Sequence, residues 1–359
     1  MKVLLLGGTG AMGFHLADIF KNNGIETFVT SRVDKQSEHN LHYIKGDAKN
    51  ITFLNDVLQQ EKWDAIVDFM VYDTKFFEQR VDLLLNNTKQ YVFLSSARVY
   101  ANSEHPISED SPRLLDNVKD LVYLQTDEYA LTKARQEDIL KKTAKKNWTI
   151  IRPYITYSEM RLQLGVLEKE AWLYRAMRGR SIVFSKDIIK KKTTLTYGLN
   201  VAKGISKILG ATEAFGQAFH ITERGSFLWS DILSIYLSVL EKYLGYKPKV
   251  LLLDLDFFLN CKDAKYQVYY DRLYDRVFDN SKISEFVDTD AFVGAREGLK
   301  LCIESFLEKP KFHSINCIQE AVKDRYAKEY TPLKEISGIK LKMKYLLARY
   351  GLLGKWCKN

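Results

Sequence analysis

Cysteine is scarce and unpatterned: Cys261, Cys302, Cys317 and Cys357 form no C-x-x-C pair and no metal-ligand spacing. That argues against a disulfide scaffold and a zinc framework, and leaves free thiols in a reducing compartment as the simplest account. Long apolar runs are missing too. Only Val3 to Leu6 precede the first glycines, and no later stretch reaches the length of a membrane span, so a cytoplasmic protein is expected. Asp254 and Asp256 stand at a spacing that could mimic a metal pair, but no histidine supports them and no metal is expected. The net charge of +9 comes from Lys and Arg interspersed with acids. This reads as a solvated surface that meets anionic ligands, not nucleic acid. At 359 residues the chain suits one large α/β domain with a smaller lobe, or two modest domains.

What is present begins at Lys2–Gly13, KVLLLGGTGAMG. A short, uniformly apolar run stopping at glycine reads as a parallel strand buried on both faces. Phe14, Leu16, Ala17, Ile19 and Phe20 then recur at helical spacing. Strand, glycine turn and helix make a dinucleotide pyrophosphate site. Gly7 permits the sharp turn, Gly10 the approach of phosphate, and Gly13 tight helix packing. Thr9 and Met12 belong to the same turn. Backbone N–H groups at the helix start receive the anion.

Strands are expected at Glu26–Thr30, His42–Lys45, Ala65–Val71, Tyr91–Leu94 and Trp148–Ile151, alternating with helical stretches that include 76–85. The pattern predicts a parallel, doubly wound Rossmann-type α/β sheet. After the second strand, where an acid would hold a ribose 2′-OH, stand Ser31 and Arg32. A hydroxyl and a guanidinium favour a 2′-phosphate, hence NADP over NAD. Asp47 follows the third strand, suited to the adenine amino group, and Phe69 and Met70 at the end of the fourth should lie beside the cofactor. Ser95 and Ser96 end the fifth strand.

The chemistry sits in Tyr129-Ala-Leu-Thr-Lys133. Residues four apart share a helix face, so the phenol and the ammonium address one site. A nearby ammonium favours the phenolate and lowers a pKa otherwise near 10 toward the working pH. Ser96 can hold the same substrate oxygen.

GGTGAMG, GDAKN, FLSSARVY, YALTK and Arg152-Pro153, in this order over roughly residues 1–160, resemble the extended or atypical short-chain dehydrogenase/reductases of the NAD-dependent epimerase/dehydratase family. The resemblance implies Ser96, Tyr129 and Lys133 as the catalytic triad, with Gly7, Gly10, Gly13, Asp47 and the backbone around Pro153 on the dinucleotide. It also implies a nucleotide-sugar substrate. Leu195–Ile205 resembles a segment returning to the cofactor domain, and 278–282 a motif near the end of the sugar lobe. The expected organisation is a Rossmann domain over 1–160 with a return near 193–222, a substrate lobe mainly over 161–330, and a basic tail over 334–359.

Departures from the pattern matter as well. Where family dehydratases carry Asp-Glu, this chain has Ala97 and Arg98, and neither does acid/base work at neutral pH, so dehydration is not expected. Ser158-Glu159 replaces the usual Gly-Pro. The expected reaction is epimerisation through a transient ketone; the alternatives are NADPH-dependent ketoreduction of the same kind of substrate, or a non-catalytic dinucleotide sensor or RNA-binding protein. Family members often dimerise through the YxxxK helix, where Ala134, Ile139 and Leu140 are expected to be available.

In the second half, Arg175, Arg178 and Arg180 alternate with Trp172, Leu173 and Met177, giving either a diphosphate contact or a solvated face. Residues 229–244 form an amphipathic helix whose role is core packing. His220 reads as a satisfied core histidine. The tail alternates Lys340, Lys342, Lys344, Arg349, Lys355 and Lys358 with apolar residues, and Glu335 is its only acid. It suits docking on its own domain, a second subunit, or an anionic membrane surface.

Overall fold

The computed structural model describes residues 1–352. The described chain divides into two compact units, one of residues 1–160, 194–226 and 275–298, the other of 161–193, 227–274 and the described residues from 299 on. Residues 275–298 thus join the first unit, where the sequence pattern leads one to expect the other.

The first unit is built on a seven-stranded sheet. Its strands are β1 (Lys2–Leu6), β2 (Glu26–Ser31), β3 (Leu41–Lys45), β4 (Trp63–Asp68), β5 (Thr88–Leu94), β6 (Trp148–Pro153) and β7 (Gln217–Ile221), and their order is 7-6-5-4-1-2-3. All pairings are parallel, with Leu4 opposite Phe28 on one side and Ile66 on the other. Val3, Leu4, Leu5 and Leu6 are fully buried, and each contributes roughly 1.5–3 kcal/mol relative to exposure. Alternation sends Val3 and Leu5 to a core with α1 (Gly13–Asn22) and the Gly198–Ile208 helix. Leu4 and Leu6 go to the opposite core, with α2 (Ile51–Gln60) and Leu140 of the Tyr129–Lys142 helix. Strand order reverses at β1, with β2 on one side and β4 on the other, which opens a crevice at the strands' carboxyl ends.

Two local expectations are corrected. The fourth strand stops at Asp68, not Val71, because the Asp68 carboxylate turns back to accept the Met70 N–H at 2.9 Å. The single helix expected over 76–85 is two, Thr74–Glu78 and Val81–Asn86. Arg80, almost fully buried, sits at the break with its guanidinium 3.5 Å from the Phe76 ring centre.

The second unit pairs Ile182–Ser185 in parallel with Val250–Leu253 and adds the helices Lys169–Ala176, Trp229–Leu244, Cys317–Ala327 and Ile339–Arg349. Here Arg175 departs from both expectations. It is fully buried and bonds Glu320 at 2.9 Å, Asp324 at 2.8 Å and Glu329 at 2.9 Å. A guanidinium so enclosed is stable only because three carboxylates surround it. Arg178 and Arg180 both reach Glu335, at 3.2 and 3.0 Å. Asp254 is engaged by Lys186 at 2.9 Å. Cys261, Cys302 and Cys317 are unbridged; Cys357 lies outside the described residues, as do Leu353, Lys355, Trp356 and Lys358 of the tail.

Candidate active site

The glycine turn joins β1 to α1. Gly7 has φ of +67°, a left-handed conformation costly for other residues, and its N–H donates to Thr30 Oγ1 at 2.9 Å. A Cβ at Gly13 would lie 2.6 Å from the backbone of Gly8, so only glycine lets the helix enter this close. Gly10 is the opposite case: a Cβ there meets nothing within 4 Å. Met12, at the N-cap, provides no side-chain cap, and the first turn carries no acid. The Phe14 N–H donates to the Gly10 carbonyl at 3.2 Å, and no side chain caps the start of α1, where the positive end of its dipole lies. This fits a pyrophosphate.

Ser31 is buried, and its hydroxyl both donates to the Val33 carbonyl at 2.8 Å and accepts the Val33 N–H at 3.3 Å. It thus serves its own turn. Arg32 is exposed and makes no ion pair among the described residues. Asp47, also exposed, accepts the Lys49 N–H at 3.0 Å through one oxygen. Phe69 and Met70 follow β4 half-buried. Met70 Sδ lies 2.5 Å from where a Gly7 Cβ would be, so it closes over the turn. Pro153 ends β6 beside Ile221. Two residues on, Ile155 has φ of +33°, a strained conformation for a β-branched side chain and one found mostly at functional sites.

Tyr129 and Lys133 lie on one helix, Tyr129–Lys142, with Glu128 as its N-cap accepting the Ala130 N–H at 2.8 Å. Lys133 is fully enclosed, and its ammonium donates to the Leu94 carbonyl at 2.7 Å, two residues before Ser96. It lies 6.0 Å from the Tyr129 ring centre. Burial pushes the ammonium down to about 8, against the attraction of Asp68 and Glu137. Ser96 Oγ accepts the Arg98 N–H at 3.2 Å, leaving its proton to donate outward. Tyr129 is half-buried. The guanidinium of Arg98 sits 5.5 Å from the Tyr129 ring centre and 2.5 Å from Glu128. Lys133 thus links the Tyr129 ring to the carboxyl end of β5, two residues before Ser96. Ala134 and Leu140, expected to face a second subunit, are instead buried within the chain; Leu140 packs in the sheet core because the helix turns that face inward.

Behind the triad runs a network that sequence patterning misses. Glu137, one turn beyond Lys133, accepts the Ser95 hydroxyl at 2.6 Å and the Nε and Nη2 of Arg152 at 2.9 and 2.7 Å. Burial alone would raise the Glu137 pKa, but Arg152 and Ser95 hold it below the usual carboxylate value. Arg152 also donates to Tyr100 Oη at 2.9 Å, and Tyr100 meets His220 Nδ1 at 3.2 Å. His220 is a fully buried histidine whose pKa burial lowers, bonded through Nε2 to the Asp279 carbonyl. The one available signal for Glu137 is its spacing, since it continues the Tyr129–Lys133 face. A second missed group is Glu159, in the segment that departs from the family's Gly-Pro. It receives the Tyr197 hydroxyl and stands 3.3 Å from His15 of α1.

Glu223, two residues beyond β7, is 9% exposed, and its Oε2 has no hydrogen-bond partner among the described residues. Burial pushes its pKa up from 4.5 to about 7, with the Ala295 N–H pulling the other way. A folded-state pKa above the unfolded value means that the native state holds the extra proton, so stability falls as pH rises from about 4.5 to 7. Glu223→Gln should therefore gain about 2–3 kcal/mol over the natural chain between pH 5 and pH 8. Urea denaturation of the intact chain at both pH values measures this; an equal difference at the two would refute it.

Residues 3–221 match the model of the NAD dependent epimerase/dehydratase family. The UDP-glucose 4-epimerase of Lactobacillus helveticus is 27% identical over 134 residues, 31% of this chain and 41% of that protein. The chloroplast stem-loop binding protein of 41 kDa b from Arabidopsis thaliana is 25% identical over 240 residues, 62% of this chain and 58% of that protein. The chain thus spans about half the length of these curated relatives. Among solved structures, the UDP-glucuronic acid 4-epimerase of Bacillus cereus, in complex with UDP-glucuronic acid and NAD, superposes with a TM-score of 0.62 at 17% identity, covering 86% of this chain and 99% of that one. That likeness establishes the fold.

Proposed function

Since the chain belongs to the NAD dependent epimerase/dehydratase family, we propose that it epimerises a nucleotide-linked sugar through a transient ketone, with Tyr129, Lys133 and Ser96 as the catalytic residues. The observation that carries this reading is the enclosed Lys133 ammonium on the face of Tyr129, tethered to Leu94 beside Ser96. Gly7, Thr9, Gly10, Met12 and Gly13 would hold the dinucleotide pyrophosphate, Asp47 the adenine, Phe69, Met70 and Pro153 the walls, and Lys133 the nicotinamide ribose. Arg32 suits a 2′-phosphate, which favours NADP, whereas the Bacillus cereus structure contains NAD. When bound, the dinucleotide supplies a hydride acceptor and donor. Tyr129 as phenolate takes the proton from a sugar hydroxyl and returns it to the ketone oxygen, Lys133 favours that phenolate, and Ser96 donates to the same oxygen. Ala97 and Arg98 stand where family dehydratases keep an acid and a base, and the Arg98 guanidinium is paired with Glu128. This supports epimerisation or reduction over loss of water.

Incubation with a panel of nucleotide sugars and either dinucleotide tests the proposal. A new sugar without net cofactor oxidation is the expected result; stoichiometric NADPH oxidation marks a reductase, and no product from any sugar overturns both. The Arabidopsis relative's name favours one other reading, an RNA-binding protein without turnover, which predicts stem-loop RNA binding unaffected by changes at Tyr129.

The pyrophosphate assignment has its own check. Because a Cβ at Gly10 meets no protein atom within 4 Å, Gly10→Ala should leave the melting temperature nearly unchanged. It should weaken dinucleotide binding roughly tenfold or more by intruding where phosphate approaches. Calorimetric titration with NAD and NADP reads this directly, and unaltered affinity would move the site elsewhere.

A further inference from the structure

The Ile339–Arg349 helix in the second unit buries one face and leaves another bare. Tyr345 and Ala348 face inward, packed with Ala321 and Ile336. The Tyr345 hydroxyl donates to Asp324 and accepts the Thr331 N–H, each at 2.8 Å. On the other side Ile339, Met343, Leu347 and Tyr350 are spaced four, four and three residues apart and so form one stripe. Their exposures are 77, 58, 38 and 68%, and Leu352 follows at 70%. Single exposed apolar residues are ordinary; a continuous stripe marks a contact surface.

The charges say what kind. At 100° per residue, Lys340 and Lys344 lie along one edge of the stripe and Lys342 and Arg349 along the other. From Ile336 to Asn359 the sequence holds no Asp or Glu. An apolar band between two cationic margins is the arrangement of a helix lying in a lipid interface, where the band enters the acyl boundary and the amines meet anionic headgroups. A protein partner would leave these uniformly positive margins needing an acidic rim on both sides. No described helix is long and apolar enough to cross a membrane, so the contact would be peripheral.

The geometry points to the stripe of Ile339, Met343, Leu347 and Tyr350, with its flanking lysines, as a docking surface for an anionic phospholipid membrane. Attraction by surface charge and insertion of the apolar band act together here, and neither alone holds a protein firmly.

Co-sedimentation of the full chain with phosphatidylcholine vesicles, with and without 30 mol% phosphatidylglycerol, is the test. At low salt the bound fraction should be at least fivefold higher on the anionic vesicles, and 0.5 M NaCl should remove most of it. Met343→Glu/Leu347→Glu and, separately, Lys340→Glu/Lys344→Glu should each reduce binding at least fivefold while the melting temperature holds. Equal sedimentation with both vesicle types, binding that survives both double variants, or a stable dimer that Met343→Glu/Leu347→Glu dissociates would each overturn the proposal.

Discussion

Tyr129→Phe is expected to lower turnover by about two to four orders of magnitude while dinucleotide affinity stays within a fewfold of the natural chain. The phenolic oxygen is the only atom removed, and the helix that carries it keeps its N-cap at Glu128 and its anchor at Lys133. The assay is single-turnover conversion of whichever nucleotide sugar the panel identifies, with affinity measured by titration. Undiminished conversion would mean that another group moves the proton, and the proposed role of Lys133 in favouring the Tyr129 phenolate would fall with it.

Glu137→Ala carries the second large effect, about 3–5 kcal/mol of lost stability. The carboxylate is fully buried and accepts from Ser95 and from Nε and Nη2 of Arg152. Its removal leaves a guanidinium enclosed without its main counter-charge. The loss should be read as the cost of that orphaned cation, not as the worth of the pair, and a second change separates the two. Glu137→Leu combined with Arg152→Met should recover most of the stability in urea denaturation, since it leaves no buried charge unpaired and only the neutral Ser95 hydroxyl loses its acceptor. A double variant as unstable as Glu137→Ala would instead assign the loss to packing.

What could be read from the sequence was what short-range pattern encodes. The glycine turn is visible because its demands are local: a positive φ at Gly7 and a close approach at Gly13 leave a residue signature. Tyr129 and Lys133 are visible because helix periodicity alone puts them on one face. Arg175 was misread because a cation among apolar residues is ordinarily solvated; its three carboxylates lie about 150 residues away, beyond any pattern within one helix. The join between Glu137 and Arg152 needs β6 to be docked beside the helix before it exists. Ile155 gives no residue-type warning at all, since nothing in an isoleucine announces a left-handed backbone. The Thr74–Glu78 and Val81–Asn86 break was hidden for a similar reason, as buried Arg80 looks like an ordinary helical surface residue.

The Gly198–Ile208 helix has a consequence for how the chain must be made. A Cβ on Gly198 would fall 2.1 Å from the Ala11 carbonyl, so this helix abuts the turn formed near the start of the chain. Val201, Ala202, Ile205 and Ile208 close the core over Val3 and Leu5. A ribosome that has released only the first 160 residues has therefore produced a sheet with one face covered only in part, by α1, and its last strand unmade. The intervening segment must be synthesised before the unit can close, which predicts slow, late closure and aggregation-prone nascent chains. For the same reason the first unit cannot be excised as an N-terminal fragment.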